Sequence, residues 1–148
     1  MNGLLFRWEE GWFAPYAEMQ VWVALARAYN LSHVIMIPHL KYGNQDIELA
    51  GYDSMEEFLD SDLKSNFTLV YVETQSLFES NNINAVELSE FVHPDNALYI
   101  FGTSFGDNTR YITDEDLTLF VKTPTDVALW QHSVAGIILD DRYRKSLA

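Results

Sequence analysis

The chain contains no cysteine, which excludes disulfides, thiol nucleophiles and zinc–thiolate sites. It is poor in positive charge, with nine Lys and Arg against 22 Asp and Glu and a net charge of -13. That balance opposes nonspecific attraction to nucleic acid, which relies on cations neutralising phosphates, and favours solubility. No apolar run approaches the roughly 20 residues that span a bilayer. The start, from Met1 to Glu10, lacks the basic leader and small-residue cleavage site of a signal peptide, so a cytoplasmic protein is expected. Repeats, low-complexity segments and linkers are missing too. The four histidines, His33, His39, His93 and His132, have no ligand-like spacing, and no metal site is expected. What is present is a chain of 148 residues, 48% hydrophobic, which suits one domain over residues 1–148.

Apolar runs alternate with helical patterns. Gly3 to Trp8 reads as a first strand, and Pro15 suits the first turn of a helix to about Tyr29, with Met19, Val23 and Ala26 on one face. Asn30 is a helix stop. Ser32 to Ile37 is a second strand ended by Pro38, and its continuous apolar run fits a strand covered on both faces. His39 to Asp53 reads as a loop; Ser54 to Glu57 is a capping box opening a helix that carries Met55, Phe58, Leu59 and Leu63. Phe67 to Val72 is a third strand, and Asn84 to Glu87 looks like a second box opening a short helix to about Phe91. Strands alternating with helices imply a mostly parallel α/β sheet of five or six strands with helices on both faces.

The most informative segment runs from Ala97 to Leu139. An apolar strand, Ala97 to Phe101, ends at the loop Gly102-Thr103-Ser104-Phe105-Gly106; a second, Leu117 to Val121, ends at Lys122-Thr123-Pro124. A helix starts around Thr123 to Asp126 and carries Val127, Trp130, Val134, Ile137 and Ile138 as an apolar stripe. One helical turn is expected at Thr113 to Asp116, before the second of these strands. Loops leaving the ends of adjacent buried strands form the crevice where ligands bind in open α/β sheets.

This order of pieces resembles the last third of the SPOUT superfamily, the α/β-knot RNA methyltransferases. In the ribose-methylating branch one strand ends in a Gly-x-Glu loop with a further glycine, the next ends in Ile-Pro, and the last helix begins Ser-Leu-Asn. The corresponding pieces here are Phe101 to Gly106, Val121 to Pro124, and Ala128-Leu129-Trp130 running into Val134 to Leu139. The small and apolar positions match; Ser104 stands where the family's Glu would be and Trp130 where its Asn would be. The strand and helix order extends the resemblance across the chain, and Leu25 to Ile35 looks like the family's first helix leading into its second strand.

The resemblance implies a SPOUT-like domain with a C-terminal trefoil knot, a homodimer, S-adenosylmethionine as cofactor and methylation of a ribose hydroxyl in tRNA or rRNA. It implies a cofactor pocket walled by Gly102, Thr103 and Gly106 on one side and by Val121, Lys122 and Thr123 on another, with Leu129, Trp130 and Ala135 as its floor. The bland reading is that these glycines merely end a strand. The family's catalytic Asn and Arg fall on Glu18 and Ala24, so Arg27, Arg7 or Ser104 would have to serve. Arg27 reads more readily as a solvated helix charge. The aromatic-acidic stretch Trp8 to Tyr16 offers stacking surface beside the same crevice, or a lid or dimer contact, and His132 reads as a packing or dimer residue. The rival to an enzyme is a non-catalytic knot-like dimer acting as a binding or scaffold module.

Overall fold

The structure is a computed structural model and describes residues 1–8, 15–39, 48–103, 108–125 and 127–148. Its elements in order are β1 (Gly3–Arg7), α1 (Pro15–Ala28), β2 (His33–Ile37), β3 (Glu48–Gly51), α2 (Met55–Leu59), β4 (Thr68–Val72), α3 (Gln75–Ser80), β5 (Val86–Glu87), β6 (Ala97–Phe101), β7 (Leu117–Phe120) and α4 (Gln131–Ser146). Single 3-10 turns lie at Leu63–Asn66, Leu88–Glu90 and Thr109–Tyr111.

The strands form one sheet in the order β3-β2-β1-β6-β4-β7-β5, and every pairing is parallel. All carboxyl ends therefore lie on one edge. Alternation along the strands splits the core in two. Leu4, Phe6, Val34, Val70, Tyr99 and Phe101 face α1 and α4. Leu5, Ile35, Leu69, Tyr71, Leu98 and Ile100 face α2. With both faces covered, β2 and β6 are buried at every residue, which is why each reads as an unbroken apolar run.

Helix α1 buries Met19, Trp22, Val23 and Ala26. It stops where Asn30 takes a left-handed φ of 55°. The N–H of Leu31 then donates to Ala26 and that of Asn30 to Arg27, a Schellman ending that satisfies the last carbonyls. Trp22 is the keystone of this face, stacked on Phe6 at 5.2 Å and tilted against Phe101 at 5.1 Å. The box at Ser54 forms: its hydroxyl accepts from the Glu57 N–H, and the Glu57 carboxylate reaches back one residue further, to the Asp53 N–H.

Several expectations are corrected. The sheet has seven strands, not five or six. β3 lies where a loop was expected; its Glu-Leu-Ala-Gly sequence has no apolar run, and it forms because Glu48 to Gly51 align beside β2. The box at Asn84 opens no α-helix. Val86 and Glu87 pair with β7, Thr118 Oγ1 donates to the Asn84 carbonyl, and Glu87 caps only a 3-10 turn. α3, capped by Thr74, was not anticipated. Thr113 to Asp116 form a turn closed by the Asp116 carboxylate rather than a helical turn.

The last helix begins at Gln131, not near Pro124 or Ala128. The Thr123 hydroxyl donates to the Thr125 carbonyl, and the Thr125 hydroxyl accepts from the Val127 N–H, local bonds that compete with a helix. The expected apolar stripe holds only in part: Ile138 is buried and Val134 packs against the core, whereas Val127, Trp130 and Ile137 are exposed by 73%, 57% and 42%, and Ala135 and Leu139 complete the buried face of α4. Among the described residues no helix is long and apolar enough to cross a membrane.

Candidate functional site at the carboxyl edge of the sheet

A parallel sheet delivers the first residue after each strand to the same edge. Here those residues are Trp8 after β1, Pro38 after β2, Glu73 after β4, Gly102 after β6 and Val121 after β7. β1 and β6 pair directly, and the chain leaves β1 toward β2 on one side while β4 and β7 lie on the other. That reversal of strand order is where open α/β sheets leave a crevice. β6 and β7, expected to be neighbours, are not. β4 lies between them, and Glu73 follows it at the same edge.

On the α2 side of this edge stands a buried polar chain. Arg7 ends β1, and its Nη1 donates to Asn108 Oδ1 at 2.8 Å. The Asn108 N–H donates to Glu73 Oε1 at 3.2 Å. Asn108 is fully buried and Glu73 is 9% exposed. Arg7 Nε and Asn108 Nδ2 are buried and have no hydrogen-bond partner. Among the described residues no ion pair reaches Arg7. Buried donors are ordinarily satisfied, and each one left open costs on the order of 1–3 kcal/mol. Both open donors belong to one hydrogen-bonded pair, Arg7 and Asn108.

On the α1 side the edge is aromatic. Trp130, the residue before α4, is 5.7 Å from His132, and His132 is 6.4 Å from Trp22, which touches Phe101 at the end of β6. Glu18, in the first turn of α1, is half-buried; burial raises its carboxyl above the ordinary range, against opposing pulls from the Trp22 indole and His132. Trp8 is fixed by its backbone N–H to the Ile37 carbonyl and its indole N–H to the Pro38 carbonyl.

The expected site residues thus fall into three groups. Gly102, Thr103, Val121, Lys122, Thr123, Leu129 and Trp130 all lie at the carboxyl edge, with Gly102 buried and Lys122 and Trp130 exposed. Ala135 lies one turn into α4 and is wholly within the core. Ser104, Gly106 and most of the Trp8 to Tyr16 stretch lie outside the described residues. The two arginines are separated. α1 runs antiparallel to the strands, so Arg27, twelve residues beyond Pro15, lies roughly 18 Å along the helix from its start, at the amino edge. Only Arg7 shares the edge with the loops.

Asn108 and Glu73 were missed by sequence reasoning. The one available signal was a carboxylate directly after an apolar strand, in Val70-Tyr71-Val72-Glu73. Among the described residues no group of three or more potential ligands could hold a metal.

No family-level sequence profile matches the chain, and no characterised protein matches it in sequence. Solved structures do match in shape. The SpoU methyltransferase AviRb from Streptomyces viridochromogenes, solved in complex with the cofactor AdoMet, superposes with a TM-score of 0.71 at 14% identity, covering 98% of this chain and 60% of its own. A structure described for the 2-OH methylation of C/U34 on tRNA gives 0.70 at 16% identity, covering 99% and 91%. The A. aeolicus TrmH/SpoU tRNA modifying enzyme gives 0.66 at 12% identity, covering 99% and 76%. The chain spans only about 60% of the length of AviRb. At these identities the likeness establishes the fold: this is the SpoU-type α/β architecture.

Proposed function

We propose that the chain binds S-adenosylmethionine at the carboxyl edge of its sheet and transfers the methyl group to a ribose 2′-hydroxyl of tRNA or rRNA. The observation that carries this reading is the convergence of Gly102 and Thr103, Val121 to Thr123 and Trp130 on one edge with Arg7, in the fold of proteins solved with that cofactor. The unsatisfied Arg7 and Asn108 donors fit a polar, charged ligand. When bound, the cofactor would supply an activated methyl: its bond to sulfur would break as the bond to the acceptor oxygen forms, with the hydroxyl proton released to solvent. The chain's own work is to hold the ligand: Gly102 admits close backbone approach, the loops after β6 and β7 flank it, and Trp130 offers a stacking face. Among the described cations near this edge, Arg7 is the one hydrogen-bonded to the buried Asn108. Ser104, just beyond Thr103 in sequence, is the second catalytic candidate, while Arg27 at the amino edge serves only if another subunit brings it near. The reading includes a homodimer and a threaded C-terminal segment.

Thermal unfolding with S-adenosylmethionine or S-adenosylhomocysteine at about 100 times the dissociation constant should add roughly 2.7 kcal/mol, or roughly 8–10 °C in Tm. Gly102→Leu should abolish that shift. A silent titration with both compounds would sink the proposal. Transfer of labelled methyl to bulk RNA, lost in Arg7→Met, then separates enzyme from binder.

The second reading, a non-catalytic binding or scaffold module, is favoured by one observation. Two of the three C-terminal cations bond back onto the fold, Arg142 to the Pro94 carbonyl and Tyr99 and Lys145 to the carbonyls of Leu88 and Phe91, while Arg144 stays exposed. Cofactor binding without methyl transfer to any RNA would select it.

A further inference from the structure

We infer that a cleft at the amino edge of the sheet, opposite the loops described above, binds a small aromatic monocarboxylate through Arg142. The inference is independent of the cofactor reading. The cleft lies between the end of α1 and the last turns of α4, has a volume of about 140 Å³, and is lined by Tyr29, Leu31, Leu139, Arg142, Tyr143 and Ser146. Leu31 precedes β2, which puts the cleft at the amino edge. The space is smaller than the roughly 300–1,000 Å³ of a pocket for a drug-sized ligand, so its occupant is a small one.

Arg142 is a half-buried cation without a counter-charge. Its Nη1 donates to the Pro94 carbonyl and the Tyr99 hydroxyl, which fixes the plane of the guanidinium. Among the described residues Nε and Nη2 have no partner, and neither is sealed from solvent. The nearest carboxylates in sequence are committed elsewhere: Asp140 accepts from Tyr29 and Arg144, and Asp141 from His93 and Lys145. The open Nε–Nη2 edge is the side of the fork that matches the two oxygens of a carboxylate. Other donors in the lining are few. The Ser146 hydroxyl donates to the Tyr143 carbonyl and the Tyr29 hydroxyl to Asp140, which leaves the hydroxyl of Tyr143. A carboxylate is satisfied by the guanidinium edge alone, whereas a phosphate brings a third oxygen and further negative charge beside Asp140 and Asp141. The remaining lining is apolar or aromatic: Leu31 and Leu139 are buried, and Tyr29 and Tyr143 add rings, surface that suits a flat apolar body. A ring bearing one carboxylate meets both halves of the cleft. The net charge of -13 opposes long-range attraction of any anion, so the contact with Arg142 has to carry the binding.

The test titrates the whole chain with benzoate and with benzamide, which keeps the ring and replaces the carboxylate by a neutral amide, and follows binding by NMR shifts. Benzoate should saturate one site and bind at least about tenfold tighter than benzamide, the scale of hydrogen bonds to a charged group. Arg142→Lys keeps the charge but loses the fork; it should weaken benzoate several-fold and leave benzamide within about twofold. Tyr143→Ala removes an exposed wall and should weaken both compounds together. Excess S-adenosylhomocysteine should leave benzoate in place. Absence of saturation, equal affinity for benzoate and benzamide, or displacement of benzoate by S-adenosylhomocysteine overturns the inference. Phenyl phosphate binding tighter than benzoate overturns the choice of a carboxylate. If Arg142→Lys does not fold, Tyr143→Ala decides, and an unchanged benzoate affinity in that variant removes the cleft as the site.

Discussion

A hydrogen-bonded relay beneath α4 yields the sharpest prediction for stability. Arg142 Nη1 lies 3.0 Å from Tyr99 Oη, Tyr99 Oη 2.7 Å from His93 Nδ1, and His93 Nε2 2.8 Å from Asp141 Oδ2. The directions are forced. Arg142 can only donate and Asp141 only accept. Hence His93 carries its proton on Nε2, its Nδ1 accepts from the tyrosine hydroxyl, and that hydroxyl accepts from the arginine. Every member is satisfied only when His93 is neutral. Protonation would place a second donor against an oxygen already receiving one. Burial of the ring is the main reason the His93 pKa lies below its ordinary 6.5; Arg142 and Lys145 add to the depression, and Asp141 opposes it. For Asp141, burial alone would raise the carboxyl, but bonds from Lys145 and His93 outweigh it and the net direction is down.

Both shifts have the same consequence. As pH falls below 6.5 the unfolded chain takes up the histidine proton before the folded chain does, so stability declines down through the folded pKa of His93. Asp141 adds a further loss at lower pH, as its own folded pKa is crossed. Tyr99→Phe deletes one hydroxyl and with it two bonds, one of them charge-assisted. At roughly 1 kcal/mol for the neutral bond and 1.5–3 for the charged one, the loss is about 2–4 kcal/mol, or roughly 6–12 °C in Tm. Urea unfolding from about pH 5 to pH 8 measures both effects. His93→Phe preserves ring packing against Phe91 and should flatten the pH slope between 6.5 and 5. A slope identical in wild type and His93→Phe, or a Tyr99→Phe loss within about 0.5 kcal/mol, would refute the relay.

Ser54→Ala removes the cap of α2 and should cost about 1 kcal/mol by chemical denaturation, with Glu57→Ala adding less because its partner is the Asp53 N–H. Gly3→Ala should cost about 1–3 kcal/mol, since a Cβ there would lie 3.0 Å from the His33 carbonyl oxygen and 3.1 Å from Leu98 Cδ1, and neither the β2 backbone nor the packed Leu98 can retreat; thermal unfolding tests it. Trp22→Ala should cost about 3–5 kcal/mol because its indole is packed between Phe6 and Phe101; a Tm drop of only a degree or two would contradict its role in the core.

The parts legible in the sequence are those where local chemistry and long-range packing agree. β6 was readable to the residue because both its faces are covered, and α1 because an amphipathic face coincides with a proline start and an asparagine in the left-handed region. Misreadings arose where pairing overrode local preference. The Asn84 box has a helix signature, yet β7 recruits Val86 and Glu87 into the sheet. At 127–130, apolar residues at helical spacing remain outside the helix because threonine hydroxyls close local turns first. The edge loops were legible as loops, through Gly102 and Pro124. The polar chain was not, because Arg7, Glu73 and Asn108 are tens of residues apart and nothing in spacing announces that a sheet will gather them. Sequence weighed Arg7 against Arg27 evenly; the antiparallel course of α1 separates them by the length of a helix.

The same placement bears on how this acidic chain could meet RNA, through its salt dependence. Arg142, Arg144 and Lys145 bond to groups of their own fold, Arg7 lies in the buried chain, and Arg27 and Lys64 lie toward the amino edge. Near the carboxyl edge the described cations are Lys122 and Arg110, the latter 3.7 Å from Glu56, with Lys41 outside the described residues. One copy can therefore neutralise at most about three phosphates there, giving a slope of log affinity on log salt near −2 for single-stranded RNA. Raising salt fourfold should weaken binding by only roughly 16-fold. Titrating labelled tRNA at several salt concentrations measures the slope. A value near −6 would mean that phosphates are met by many more cations than this edge holds, and that RNA approaches a surface built by more than one chain.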